Sequence, residues 1–310
     1  MNRLSLAAVA LAISMISSLA DTFHPKGEFF RPAVPIVWAA TNILPQTMMV
    51  YQVTNFSQAV LSNAMAIGSF RAIDIVSKDK DQIVFETHQD ERLVRRLKIS
   101  PAQCWIDYLQ SQADTSSVHG VPSYDETEKL ALDYLSRFGY DTNQIISKGK
   151  PRTEGTVETY DKKGGSLVNK SVYSRGITFY REIDGIDMEE SFSIEFGNDA
   201  SVTRLSTDWK NLQPYHMLKT ATRDEIAGWI KAGRGMILPG VNSGCSVPDH
   251  AKTLTITEAT PVYVKRNTGK FIYPSANLKI IADIGTTNAA TFYVECPVLS
   301  TNRVTLSEGR

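Results

Sequence analysis

Between Ser174 and Leu212 apolar and polar positions alternate with the period of a β-strand. Ile177, Phe179 and Ile183 share one face of a first run, and Arg181 is its single polar interruption. In a second run Phe192, Ile194 and Phe196 point one way while Ser191, Ser193 and Glu195 point the other, which predicts a sheet with one buried and one wet face. Asp184-Gly185 lies between the runs and Gly197-Asn198-Asp199 follows them, both compositions that tolerate positive φ at a hairpin. Val202 to Trp209 supplies a third strand.

The same alternation predicts strands at Met48 to Val53, Phe70 to Ser77, Gln82 to Thr87, Arg92 to Ile99 and Cys104 to Leu109. Helical signals appear between these runs. Ser57 to Gly68 has an N-cap serine and a closing glycine, and Asp125 to Phe138 gathers Leu130, Leu132, Leu135 and Phe138 before Gly139. Thr222-Arg223-Asp224-Glu225 is a capping box opening a helix through Ile226, Trp229 and Ile230. The segments AVLSNAMAIGSF and KLALDYLSRFGY repeat an order of apolar residues, glycine and aromatic, and each is followed by strands with no helix between them. A divergent third copy continues in strands at Thr253 to Thr257, Val262 to Lys265, Leu278 to Asp283 and Thr291 to Cys296, after an irregular insertion over 233–250.

Ahead of these repeats stand two segments of another kind. Asn2-Arg3, the uncharged run Leu4 to Leu19 and the small residues around Ala20 form a signal-peptide pattern over 1–20, with cleavage expected after Ala20. Residues 21–46 form a proline-rich arm whose Phe29, Phe30, Ile36, Val37 and Trp38 are apolar enough to lie against a domain. The expected division is therefore the leader, the arm, and α+β units over 47–118, 119–215 and 216–310.

A helix followed by a curling four-stranded antiparallel sheet resembles the cystatin-like layout. The run Phe179-Tyr180-Arg181-Glu182-Ile183-Asp184-Gly185-Ile186, then Phe192 to Gly197 and Val202, resembles the PepSY and peptidase-propeptide group and the YycH and YycI sensor-associated proteins. The fold class expected from this is α+β: two or three cystatin-like units, each a helix packed on a curved four-stranded antiparallel sheet. The resemblance implies inhibition of a peptidase, sensing of an envelope partner or extracellular binding, with no active site carried over.

Charge narrows the choice of partner. Lys+Arg 33 balances Asp+Glu 33, so nothing in the overall field favours nucleic acid or an anionic membrane. No apolar run after the leader reaches a transmembrane length, and no stable membrane insertion is expected after cleavage. An oxidising compartment allows a disulfide between Cys245 and Cys296, while Cys104 reads as a buried thiol. The histidines His24, His88, His119, His216 and His250 form no zinc-ligand motif, so neither metal nor cofactor is expected. Asn242 to His250 gathers Cys245 near serine, aspartate and His250, which admits a secreted hydrolase as an alternative. The acidic groups Asp79-Asp81 and Asp187-Glu189-Glu190 read as solvated turns. Tyr180, Arg181 and Tyr215 are the candidate partner-binding residues, because Tyr and Arg dominate interface energetics, while Trp209 and Trp229 could anchor a partner but read first as core. These features make the expected protein a secreted, non-catalytic binding, inhibitory or regulatory module that contacts an extracellular or envelope protein. A structural envelope component is the second alternative.

Overall fold

The computed structural model describes residues 29–30, 32–111, 117–146, 150–160, 167–238, 251–264, 270–287 and 289–300. In chain order the first strands are β1 (Phe29–Phe30), β2 (Ile36–Trp38) and β3 (Thr47–Thr54). Next come α1 (Gln58–Ile67), β4 (Ile75–Lys78), β5 (Ile83–Gln89), β6 (Arg92–Ser100) and β7 (Trp105–Gln110). They are followed by α2 (Tyr124–Arg137), β8 (Arg152–Tyr160), β9 (Leu167–Ile183), β10 (Ile186–Phe196) and β11 (Val202–Thr207). The chain ends in β12 (Asn211–Lys219), α3 (Arg223–Lys231), β13 (Gly235–Ile237), β14 (Leu254–Tyr263), β15 (Phe271–Ile272), β16 (Pro274–Ala282) and β17 (Ala290–Pro297). Strands account for 52% of the structure and helices for 18%. This overturns the expected α+β class: the chain is mostly β and does not form small cystatin-like units.

There are two compact units, one of residues 53–212 and one of 1–52 with 213–310. The physical reason the expected units fail to separate lies in the first of these. Its strands form one antiparallel sheet in the order β8-β9-β10-β11-β7-β6-β5-β4. Each half supplies a helix, a short three-ten turn and four strands, and the halves join where the last strand of one pairs with the last strand of the other. That seam sets Arg204 opposite Leu109, Leu205 opposite Tyr108, Ser206 opposite Asp107 and Thr207 opposite Ile106. One core then serves both halves: Val60 and Ala64 of α1 and Ala131 and Leu135 of α2 belong to the same buried cluster as Leu97, Phe179 and Phe192. Two separate sheets would each have left a row of unpaired amides and carbonyls at that edge.

The three described helices share their end geometry. Ser57 caps α1 through the Val60 amide (3.2 Å), and Ser123 and Thr222 cap α2 and α3 in capping boxes with Glu126 and Glu225. All three helices close on the same six-to-one bond, from Phe70 N to Met65 O (2.9 Å), Tyr140 N to Leu135 O (3.2 Å) and Arg234 N to Trp229 O (2.9 Å). In α2 and α3 a glycine takes the left-handed position, Gly139 (φ +78°) and Gly233 (φ +78°), but after α1 it is Ser69 (φ +54°). Gly68 is therefore a glycine for another reason. A β-carbon there would lie 2.3 Å from Phe70 Cε2 and 2.9 Å from Tyr108 Cε2. Two adjacent substitutions should consequently move stability in opposite directions. Gly68→Ala should cost about 1–3 kcal/mol by overpacking, and Ser69→Gly should gain up to about 1 kcal/mol by relieving the left-handed backbone. Urea unfolding of both variants checks the signs.

In the other unit the sheet order is β1-β13-β17-β16-β14-β2, antiparallel except where β2 runs parallel to β14 with Ile36 opposite Leu254. The proline-rich arm thus adds strands to this sheet, and Phe30 packs on Phe292 at 5.6 Å between ring centres. Beneath it lie Leu254, Ile256, Leu278, Ile280, Phe292 and Val294, all buried, with Ile226 and Ile230 of α3. A small sheet β12-β3-β15 completes the unit. Strand β12 was not foreseen because Pro214 interrupts its pattern, and an edge position is where a strand tolerates proline.

Candidate functional site

In the unit of 1–52 and 213–310, a cleft of about 370 Å³ opens between the arm and the start of α3. Its size falls at the lower end of the range for small-ligand sites. One wall begins at Trp38, whose strand is held on β14 with Trp38 opposite Ile256, and Ala39 N continues the ladder to Ile256 O at 2.9 Å. Asn42 then pins the arm to β14: its Nδ2 donates to Ala259 O and its Oδ1 accepts from Ala259 N (3.2 Å). Ile43, Leu44, Pro45 and Gln46 line the cleft in an irregular run, and Ile43 is 79% exposed. The opposite wall is Lys219, Thr220, Ala221 and the first turn of α3, with the Thr220 amide donating to Gln46 O (2.9 Å) and the Ala221 amide to Val298 O (2.7 Å).

The cleft is cationic at one end. Lys219 and Arg223 line it, and none of the described lining residues is acidic. Arg223 also lies over the Trp38 ring, its Cζ 5.9 Å from the centroid. Glu225, one turn on, accepts from the Thr222 amide (2.7 Å), the Thr222 hydroxyl (3.0 Å) and the Ser300 hydroxyl (3.3 Å). These bonds, the Thr222 amide foremost, hold its carboxyl below the usual glutamate range. Two buried polar atoms of lining residues, Trp38 Nε1 and Thr220 Oγ1, find no hydrogen-bond partner among the described residues, although Thr220 is only 7% exposed.

The residues foreseen as partner contacts are not gathered there. Tyr180 is 40% exposed on β9, and Tyr215 on β12 packs against His216 and Phe271 with ring centres 4.2 and 4.7 Å away. Arg181 is turned into the unit of 53–212, which takes it off any partner-facing surface. Its Nη1 donates to Glu190 Oε2 (2.7 Å) and to Lys210 O (2.8 Å), and its Nε donates to Gln144 Oε1 (2.8 Å). Lys210 Nζ lies 3.6 Å from Glu190 Oε1, and the Arg181 guanidinium stacks over Trp209 at 5.3 Å. Burial pushes the Glu190 carboxyl up, and the charges of Arg181 and Lys210 pull it back. Glu190 is thus no solvated turn residue. It sits on β10, where every second position from Ile186 to Phe196 is buried, and that parity already marked it as inward-facing.

Asp79 does cap its turn, accepting from the amides of Asp81 (2.8 Å) and Gln82 (2.7 Å). His119 pairs with Asp199 at 3.0 Å, and its Nδ1 donates to Ser117 O (2.7 Å); the Ser117 bond foremost raises its pKa. Trp209 is core, fully buried and stacked on Tyr140. Cys245 and His250 lie outside the described residues, as do His24 and the leader. No group of histidines, cysteines and carboxylates able to hold a metal occurs among the described residues.

Cys104 and Cys296 are free and buried. Burial pushes the Cys296 thiol up to about 12 and raises that of Cys104, whose Sγ donates to Thr54 O at 3.3 Å. Because thiolate is the reactive form, neither should be alkylated by iodoacetamide in the folded protein, and both should be after denaturation. Peptide mapping checks this, and labelling of either residue in the native state would contradict it.

The cleft was only half legible in advance. The capping box at Thr222 was read as helix structure, and the Lys219 and Arg223 that flank it are the signal that could have marked a cationic helix start.

No family model matches the chain, and no curated protein does. Among solved structures, an uncharacterized protein from Eubacterium rectale, known from a 1.45 Å crystal structure, is similar over 84% of this chain and 86% of its own, at 9% identity and a TM-score of 0.39. A likeness at that level assigns neither fold nor function. Among the described residues no helix is long and apolar enough to cross a membrane.

Proposed function

We propose that this is a secreted, non-catalytic binding protein that acts through contacts with an extracellular or envelope protein, and that the arm–α3 cleft is its contact site. The observation that carries this reading is the cleft's composition. An exposed Ile43 stands at its margin, and Lys219 and Arg223 line it. A partner that seats an apolar side chain and carries negative charge would meet both features at once. The signal-peptide pattern over 1–20 supports the extracellular placement.

The test is capture from the extracellular and envelope fractions of the source organism with the mature chain and with Ile43→Asp and Trp38→Ala variants. The expected result is one protein retained by the parent chain and lost in both variants at unchanged melting temperature. Equal retention by all three, or hydrolysis of peptide or ester substrates by the mature chain, would overturn the reading.

A further inference from the structure

Residues 117–120, which lead from the first half of the unit of 53–212 into α2, lie on the turn between β10 and β11. Asn198 in that turn grips them at two points: its Nδ2 donates to Ser117 O (2.9 Å) and its Oδ1 accepts from the His119 amide (3.1 Å). The Asp199 amide in turn donates to His119 O (3.2 Å). Gly120 lets the two segments lie this close, because a β-carbon there would meet Asp199 Oδ1 at 2.4 Å and the Asp199 nitrogen at 3.1 Å, on a backbone already at φ +62°. The turn itself is strained. Two successive residues other than glycine, Asp199 (φ +52°) and Ala200 (φ +56°), occupy the left-handed region, and alanine has no polar side chain to offset it.

The imidazole of His119 closes this contact, and both of its ring nitrogens face acceptors. Nδ1 lies 2.7 Å from Ser117 O, and Nε2 lies 3.0 Å from Asp199 Oδ2. A neutral imidazole carries one N–H and serves only one of them, leaving the other to meet a bare lone pair. Only the imidazolium serves both. Asp199 is the charged group that faces the ring from the turn; Arg175, which donates to Pro122 O (2.9 Å) farther along the chain, is already paired with Glu154 at 3.1 Å.

We infer that His119 is a proton-operated latch, which when protonated ties residues 117–120 to the strained β10–β11 turn and when neutral lets the Asp199 side of that contact open. Nδ1 keeps its shorter bond to Ser117 O, so the lone pair falls on Nε2, opposite a carboxylate. The sign follows from the bonds to the charged form: the Ser117 bond foremost, then the Asp199 charge, raise the His119 pKa. The contact is therefore complete at low pH and is lost as pH rises through the folded-state value. With side-chain exposures of 61% for His119 and 72% for Asp199, water screens the pair, so the latch grades a local opening and does not unfold the unit.

The test is NMR on the mature chain across the titration. The His119 ring should titrate above the free-histidine value of about 6.5, and above its midpoint the ring 15N shifts should show the Nδ1–H tautomer. Exchange of the Asp199 amide, corrected for the intrinsic rate at each pH, should be about two- to fivefold less protected above the midpoint than below it, the range an exposed ion pair supports. Asp199→Asn keeps the left-handed backbone, since asparagine tolerates it as well as aspartate does. It should lower the midpoint and abolish the pH dependence of protection at position 199 while the melting temperature holds, a combination that a merely structural turn residue would not give. His119→Gln should leave protection at the parent's alkaline level throughout. A His119 midpoint at or below the free value, an Nε2–H tautomer at alkaline pH, protection that does not change with pH, or an Asp199→Asn variant that titrates like the parent would each overturn the inference.

Discussion

Glu190→Ala should destabilise the unit of residues 53–212 by about 3–5 kcal/mol, the cost of leaving buried charge uncompensated. Arg181, Glu190 and Lys210 have side-chain exposures of 7%, 0% and 5%, so water cannot replace the lost carboxylate. Arg181 would keep its bonds to Gln144 and the Lys210 carbonyl, but its guanidinium would lose the carboxylate that now compensates it. The converse experiment separates pairing from packing. A triple variant, Arg181→Met with Glu190→Leu and Lys210→Met, should recover most of the loss, because apolar side chains of similar volume bring no desolvation penalty. Urea unfolding read by Trp209 fluorescence measures both. A loss below about 1 kcal/mol for Glu190→Ala would show that the cluster is hydrated and contributes little.

Phe192→Ala should cost about 3–5 kcal/mol as well, for a different reason. Phe192 is fully buried, and its ring meets Phe138 at 6.0 Å and Tyr140 at 6.4 Å, so truncation opens a cavity under the end of α2. The more telling readout is where the loss appears. Since both halves share one core, amides of β5 and β6 should exchange faster by the same factor as those of β9 and β10, although Phe192 lies in the second half. Hydrogen exchange confined to β9 and β10 would mean that the halves open independently.

Individual elements were legible in the sequence to a high degree, and their assembly was not. The hairpin at Asp184-Gly185 has the positive φ that its composition demands, +53° and +75°. The capping box at Thr222 and the cap at Ser57 form as expected. The equivalence of Phe70 with Tyr140 was present in the aligned segments, down to the same six-to-one closure. What periodicity cannot report is which strand edge a finished meander presents to the next one. Ile106 and Leu205 are apolar in either arrangement, so two separate sheets and one continuous sheet predict the same alternation. Arg181 illustrates a related gap. Its position on the face of Ile177 and Phe179 carried the signal of burial, yet it was read as a partner contact, and its partner Glu190 lay in a stretch read as a turn because three acidic residues crowd it. The cleft escaped for the simplest reason: Trp38 and Arg223 are 185 positions apart by their numbers, and only the parallel pairing of β2 with β14 makes them neighbours.

The seam between β7 and β11 bears on what a single half could be. Expressed alone, a half would bare the hydrogen-bonding edge that its counterpart now covers, and an identical half would be the natural complement, giving a two-fold dimer whose formation depends on concentration. Carrying both halves on one chain converts that encounter into an intramolecular one, with an effective concentration that tethering sets in the millimolar range. Dilution, which would dissolve such a dimer, leaves the tethered pair assembled. That tolerance would suit the secreted role proposed above.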